Sequence, residues 1–356
     1  MKHTLLTVAL ISLLVTGCSR PSVAAAPLLT PTTTATIAAP TPTAIPVPTL
    51  TPTLSPTPDP LEPYTIDALR ARAYGGGTLE IVKKVGSNSG FTRYIISYPS
   101  DGLTIAGFMD VPGAASTAST ANANGPFPVI IALHGYIDPS IYNTLDYTTH
   151  YADVLATSGY LVLHPNLRNF PPSDNADDFF RTGMAVDVLN LIAIVKATGG
   201  QAGALQEADP ARIGMWGHSM GGGVTTRVLT ISSDVRAAVL YAPVSGDELQ
   251  NYLAVGVWSN GLRGQEERQV APEELLRISP MYFYNYVQAA VSINQGLADL
   301  TVPPAWSRQT CAQLQALGKT VECHYYDGQP HTFLGQGDKE LIQNTLLFFD
   351  RYLRGP

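Results

Sequence analysis

Charge is scarce in this 356-residue chain: Asp, Glu, Lys and Arg together make up 14% of it. The 21 basic residues are outnumbered by 28 acidic ones, giving a net charge of −7, and they form no cluster. A chain without a basic patch lacks the electrostatic footprint that nucleic-acid binding needs, so that class is excluded. Cysteine is scarcer still, with three residues at 18, 311 and 323. No metal-ligand spacing is present, and neither a metal nor a cofactor is expected. The apolar run at the start, Leu5 to Val15, is 11 residues long. That is about half of what a membrane-spanning helix requires.

Proline, by contrast, is plentiful but unevenly placed. Ten of the 28 prolines fall between Pro27 and Pro60, among Thr, Ala and Ser. Each proline fixes φ and removes a backbone donor, so no helix or interior strand survives at that density. Residues 18–62 are therefore expected to be a disordered linker with polyproline-II character. Before it, Lys2 and His3 precede the apolar run, and Val15-Thr16-Gly17-Cys18 closes it. This resembles the bacterial lipoprotein signal. The resemblance implies a signal peptide over 1–17, cleavage before Cys18, diacylation of its sulfur, export, and a membrane anchor. With Cys18 lipidated, Cys311 and Cys323 remain as a pair in an exported chain, expected to form a disulfide rather than two buried thiols.

Residues 63–356 carry the folded domain. Ile66 to Tyr74 reads as a helix. Three short strands follow at Leu79–Val85, Phe91–Tyr98 and Leu103–Val111, separated by turn residues, as an antiparallel edge requires. From Pro128 onward, apolar strands alternate with helices. Val129–Leu133 reads as a strand buried on both faces and Tyr160–His164 as the next buried one, and Ile213–Trp216, Ala237–Tyr241, Val291–Asn294 and Thr320–Tyr326 read as the strands that follow. Asp146–Ser158, Thr182–Ala197, Val224–Ile231, Pro304–Leu317 and Asp338–Leu353 read as helices. This rhythm predicts an α/β domain with a doubly wound, mostly parallel sheet and antiparallel N-terminal strands. Gly246 to Ala290 breaks the rhythm, and is expected to form a small cap with Trp258, Tyr282, Phe283 and Tyr284 over the site.

The chemistry concentrates at Gly217-His218-Ser219-Met220-Gly221. A Gly-x-Ser-x-Gly between an apolar strand and a helix is the pattern of a nucleophile elbow, which exposes a serine on a sharp turn. A serine hydroxyl needs a base to take its proton, and a histidine needs a carboxylate to fix its tautomer. Asp299 and His331 each follow a later strand, in the order serine, acid, base. Asp327 is the alternative acid, but it lies only four residues before His331. His324 is the alternative base, inside a strand, and His218 is expected to pack beneath the elbow. The backbone N–H groups of Met220 and Tyr136 are the candidate oxyanion donors, with the Tyr136 ring walling the pocket. Asp187 is expected to make a buried hydrogen bond, and Arg168 and Asp174 to order the loop at 165–178.

These residues resemble the α/β-hydrolase superfamily over about residues 79–354. The Arg-Ile-Gly-Met-Trp-Gly-His-Ser-Met-Gly-Gly-Gly stretch, the Gly-x-x-Asp-x-x-Val-Pro-Pro loop and the Pro-His-Thr-Phe loop resemble the prolyl oligopeptidase and acylaminoacyl peptidase branch, with dienelactone hydrolases close by. His134-Gly135-Tyr136 with the elbow also resembles cutinase-type polyester hydrolases. The resemblance implies a serine hydrolase acting on small esters or short peptides. Two departures favour esters. About 60 residues of strand stand where a β-propeller precedes the prolyl oligopeptidase hydrolase domain, and Tyr136 replaces a common glycine. An exopeptidase would need a terminus anchor, for which Glu266-Glu267 or Glu273-Glu274 are the candidates. Oligomeric state is not legible.

Overall fold

The computed structural model describes residues 59–113 and 126–355. The expected signal peptide, Cys18, the expected linker up to residue 58 and residues 114–125 lie outside the described residues. In chain order the elements are α1 (Ile66–Ala71), β1 (Glu80–Ser87), β2 (Phe91–Ser100), β3 (Leu103–Pro112), β4 (Phe127–Leu133), α2 (Thr149–Thr157), β5 (Leu161–Pro165), α3 (Thr182–Thr198), β6 (Ala208–His218), α4 (Met220–Ile231), β7 (Val235–Tyr241), α5 (Glu248–Trp258), α6 (Leu275–Ile278), β8 (Ala290–Gly296), α7 (Pro304–Ala316), β9 (Val321–Tyr326) and α8 (Gly335–Phe349).

The nine strands form one sheet in the order β1-β2-β3-β5-β4-β6-β7-β8-β9. β1, β2 and β3 are antiparallel, as is the β3–β5 junction, and from β5 to β9 every pair is parallel. This is the mostly parallel sheet with antiparallel N-terminal strands expected from the alternation of strands and helices, in the α/β-hydrolase architecture that the resemblance implies. Both faces of the central strands are covered: every residue of β4, β5 and β8 is buried, the polar His164, Ser292, Asn294 and Gln295 among them. One face packs the α3 and α4 side, through Val188, Leu191, Val224 and Val228. The other packs α2 and α8, through Leu155, Trp216, Phe348 and Phe349. Burial of this kind contributes about 25 cal/mol per Å² of apolar surface.

The edge strand β1 behaves differently. All eight residues are exposed, Lys83 and Lys84 sit mid-strand, and two register irregularities interrupt its pairing with β2. Lysines and bulges on an edge discourage pairing with another chain. At the far end, Cys311 on α7 is joined to Cys323 on β9 by a disulfide, with the Cα atoms 6.4 Å apart. It closes a short loop between the helix that follows Asp299 and the strand that precedes His331. Among the described residues no helix is long and apolar enough to cross a membrane.

Two differences from the sequence expectation bear on the site. The elbow helix α4 begins at Met220, immediately after Ser219, four residues before the apolar stretch that suggested it. Glycines at 221–223 hid its first turn, because glycine is a poor helix former with no apolar face to show. The cap is also smaller than its sequence. Tyr284 is 1% exposed and packs into the main core, with its hydroxyl 3.4 Å from Thr310 Oγ1. Tyr282 and Phe283 belong to the same short helical stretch, Pro280–Tyr286, and do not line the pocket over Ser219. Only the first part of the insertion, from Asn251 to Glu267, does so.

Candidate active site

Ser219 stands between β6 and α4 with φ 55° and ψ −115°. A non-glycine residue in such a conformation costs on the order of 1–3 kcal/mol and persists only where the surroundings fix it. Here they do. Ser219 N–H donates to the Tyr241 carbonyl at 2.9 Å, and the Ser219 carbonyl accepts from Gly223 and Val244, each at 3.1 Å. A Cβ on Gly221 would meet the Leu133 carbonyl oxygen at 2.5 Å. The helix can start this close to the end of β4 only with glycine there. Gly135 is under a milder constraint: its Cβ would come 3.0 Å from His218 Nδ1 and 3.2 Å from Ser219 Cβ. The loop after β4 therefore lies directly against Ser219, with Tyr136 next in line.

The structure brings Ser219, His331 and Asp299 into one hydrogen-bonded relay. His331 Nε2 lies 2.9 Å from Ser219 Oγ, and His331 Nδ1 lies 2.8 Å from Asp299 Oδ2. An ionised carboxylate only accepts, so Nδ1 carries the proton and Nε2 is left to accept from the serine hydroxyl. Asp299 is 5% exposed. Its Oδ1 accepts from the Thr301 and Val302 amides, each at 2.8 Å, and Oδ2 accepts from Gln295 Nε2 at 3.0 Å. Burial pushes this carboxyl upward, but the bonds from His331, the Val302 amide and Gln295 outweigh it and hold it below the usual range. The acid therefore stays ionised where the imidazole must be oriented.

The alternatives fall away by position. Asp327 is exposed in the turn after β9. His324 is on β9, a third exposed, and faces Glu322 at 3.7 Å. Asp187 is fully buried and pairs with Arg168 while accepting from Ser100 Oγ at 2.7 Å. Asp174 accepts the Thr104 amide at 2.7 Å, pinning the loop after β5 to β3.

His218 does more than pack. Its ring is buried and lies 4.7 Å from that of His331 and 4.2 Å from that of Tyr241. Nε2 faces the His331 carbonyl at 3.1 Å, and Nδ1 faces the Tyr147 hydroxyl at 2.6 Å. Burial pushes its pKa down to about 3, with the neighbouring His331 adding to the effect, so the ring is neutral. A neutral ring has one N–H, which the carbonyl must receive, leaving Nδ1 to accept from Tyr147. Phe333 N–H donates to the Tyr241 hydroxyl two residues further on. The loop carrying His331 is thus tied to His218 of the elbow at one end of a three-residue span and to Tyr241 of β7 at the other. Sequence alone showed the adjacency of His218 to Ser219, but gave no signal for Tyr147, which is 71 residues away.

Above the relay lies a cavity of about 650 Å³, within the usual range for a small-molecule site. Tyr136, Ser219, Met220 and His331 line its floor, and Val255, Trp258 and Leu262 its cap wall. Four charged side chains also face it: Asp138, Arg181, Arg263 and Glu267. The guanidinium of Arg263 sits 4.4 Å from the Tyr136 ring centroid, joining the cap to the loop after β4. Of the acidic pairs considered from sequence, Glu267 reaches the cavity, whereas Glu274 pairs with Arg277 at 2.9 Å. Arg181 had no sequence signature. No group of three or more His, Cys, Asp or Glu among the described residues is placed to hold a metal ion.

The same fold is found in solved structures at low identity. The acylaminoacyl peptidase of Pyrococcus horikoshii shares 23% identity at a TM-score of 0.57, over 75% of this chain and 42% of that one. This chain thus spans less than half the length of that peptidase. Acetyl xylan esterase 1 from Thermoanaerobacterium sp. JW/SL YS485 shares 18% identity at a TM-score of 0.57, over 80% of this chain and 90% of that one. The esterase Pf2001 of Pyrococcus furiosus shares 18% identity at a TM-score of 0.55, over 79% of this chain and all of that one. Residues 146–356, more than half of the sequence and the part that holds the elbow, Asp299 and His331, match the prolyl oligopeptidase family. The chain belongs to the prolyl oligopeptidase family and is a serine hydrolase, an esterase or a peptidase.

Proposed function

We propose that this serine hydrolase cleaves carboxylic esters through an acyl-enzyme, with Ser219 as nucleophile, His331 as base and then acid, and Asp299 as the group that orients His331. The observation that carries the reading is the unbroken relay from Ser219 Oγ through both nitrogens of His331 to Asp299 Oδ2, at 2.9 and 2.8 Å. His331 takes the hydroxyl proton as Oγ attacks the ester carbonyl, and the imidazolium is held by Asp299. The carbonyl oxygen becomes an oxyanion, for which the Met220 amide, at the start of α4, and the Tyr136 amide are the assigned donors. The positive end of the α4 dipole favours the same charge. His331 returns the proton to the leaving alcohol. Water then repeats the sequence on the acyl-enzyme and releases the acid.

The ester reading rather than a peptidase reading is supported by the acetyl xylan esterase and the Pyrococcus furiosus esterase, each of which this chain spans over nine-tenths or more of its length. Peptide cleavage by the same three residues is the second reading. It is favoured by the family match and by Glu267, a carboxylate in the cavity able to face a substrate ammonium. Cys18 lipidation, export and a Pro/Thr-rich stalk complete the proposal, supported by the lipobox-like Val15-Thr16-Gly17-Cys18.

The test is a panel of p-nitrophenyl esters and aminoacyl anilides given to the full chain and to Ser219→Ala. Esters are expected to be hydrolysed faster than anilides, with both activities lost in Ser219→Ala. Anilides turned over faster than esters would reverse the order of the two readings. Ester turnover that survives the substitution would remove Ser219 from the mechanism.

A further inference from the structure

Of the four charged side chains facing the cavity, two answer each other at its mouth. Asp138 and Arg263 lie 3.7 Å apart, and their side chains are 53% and 45% exposed. Arg181 is of another kind. Its side chain is 18% exposed, and its one side-chain hydrogen bond among the described residues goes to Glu248. Glu248 is already held by the buried Arg227 and by Asn251 Nδ2 at 3.1 Å. One carboxylate therefore serves two guanidinium groups. Arg227 is also satisfied by the carbonyls of Ile278, at 2.7 Å, and Phe180, at 3.1 Å. Arg181 keeps the remaining N–H groups of its fork free of protein partners among the described residues, on a side chain that lines the cavity over Ser219.

The backbone is arranged for this. Phe180 and Arg181 have φ values of 53° and 58°, two successive non-glycine residues in the left-handed region, just before α3. Such a pair is retained only where tertiary contacts over-determine it, and it gathers at ligand sites. The contact here is Arg227, which clasps the Phe180 carbonyl, while Glu248 fixes the Arg181 fork. Asp178, the other carboxylate near Arg181, is committed to the Met184 amide at 2.9 Å. Glu267 is not committed. It comes from the cap, its carboxylate makes no hydrogen bond among the described residues, and it acts on Arg181 only through space.

We propose that Arg181 binds a carboxylate carried by the substrate, so that the preferred esters bear an anionic group besides the scissile one. Glu267 supplies a nearby negative charge in the cavity, and a substrate carboxylate competes with it for Arg181. A guanidinium fork already fixed by one carboxylate offers a second carboxylate paired N–H donors, and charged hydrogen bonds of this kind are the strong ones. The inference rests on the ester-hydrolase reading and names the substrate class of that site.

The test uses the full chain with matched esters: mono-p-nitrophenyl glutarate against p-nitrophenyl pentanoate, and phenyl against carboxyphenyl butyrate. At least one carboxylate-bearing ester is expected to have the higher kcat/KM of its pair. Arg181→Gln should lower that ratio by about tenfold to a hundredfold, as expected for a charge-assisted hydrogen bond. Glu267→Gln should raise it, by lowering KM for the anionic ester, and keeps the test decisive if Arg181→Gln does not fold. A ratio that neither substitution moves, or neutral esters preferred in both pairs, overturns the inference while leaving Ser219-dependent ester hydrolysis standing. Should no ester be turned over, the ester reading fails separately. Thermal stabilisation by glutarate over glutaramide, present in the wild type and lost in Arg181→Gln, then reads the carboxylate site directly, and equal shifts reject it.

Discussion

The floor of the cavity and its cap wall are built by opposite rules. On the floor, Ser219, His331 and Asp299 sit on the ends of β6, β9 and β8, and their polar atoms are nearly all spoken for. His218 and Asp299 are almost wholly buried. On the cap, Val257 is 75% exposed, Leu262 82% and Trp258 43%, and the segment between α5 and α6 is mostly short turns. A rigid floor holds reacting atoms within the few tenths of an ångström that proton transfer needs. A loosely anchored, apolar wall can be repacked at small cost, so substrate choice is free to change while the chemistry stays fixed.

Substitutions separate the two regions by the size and kind of their effect. The largest falls on the floor: Ser219→Ala should lower kcat for p-nitrophenyl acetate by about 10⁵–10⁶-fold, with no change in thermal midpoint beyond a few degrees. Asp299→Asn follows, at about 10⁴-fold in kcat, because Asn cannot hold His331 in the tautomer that accepts from Ser219. His218→Phe removes the bond to the His331 carbonyl and strands the Tyr147 hydroxyl. It should cost about 10- to 100-fold in kcat with KM little changed, and His218→Gln should recover part of the loss. The smallest effect belongs to the wall. Leu262→Ser should change KM for long-chain esters several-fold, leave kcat for acetate alone, and shift stability by less than about 0.5 kcal/mol. If this cap change depressed kcat for acetate as much as His218→Phe does, the division between floor and wall would not hold.

The same division decided what could be read from the sequence. The floor is built from elements with strong local signatures. Unbroken apolar runs marked β4 and β7, and shorter, partly apolar stretches marked β6 and β8. Gly-x-Ser-x-Gly marked the elbow, and the strand order placed Asp299 and His331 on neighbouring strand ends. The bonds that tie this floor together were not legible. Tyr147 reaches His218 across 71 residues, and Arg227 meets Glu248 across 21, contacts that only packing creates. The cap was misjudged for a related reason. Tyr282, Phe283 and Tyr284 are aromatic and near the site in sequence, but composition does not say which face of a short helix meets which wall. Tyr284 went into the core, and Val255, Leu262 and the charged Glu267 took the wall. Arg181 was hidden because its position depends on two left-handed residues, Phe180 and Arg181, of types that do not favour that conformation.

The most direct test of the relay is to catch the acyl-enzyme. The full chain, mixed rapidly with a p-nitrophenyl ester, should release a burst of nitrophenol equal to the enzyme present. Acid-quenched protein should carry one acyl group on the peptide containing Ser219, and none in Ser219→Ala. A burst accompanied by an acyl group on any other residue, or ester turnover that persists in Ser219→Ala, would contradict the account.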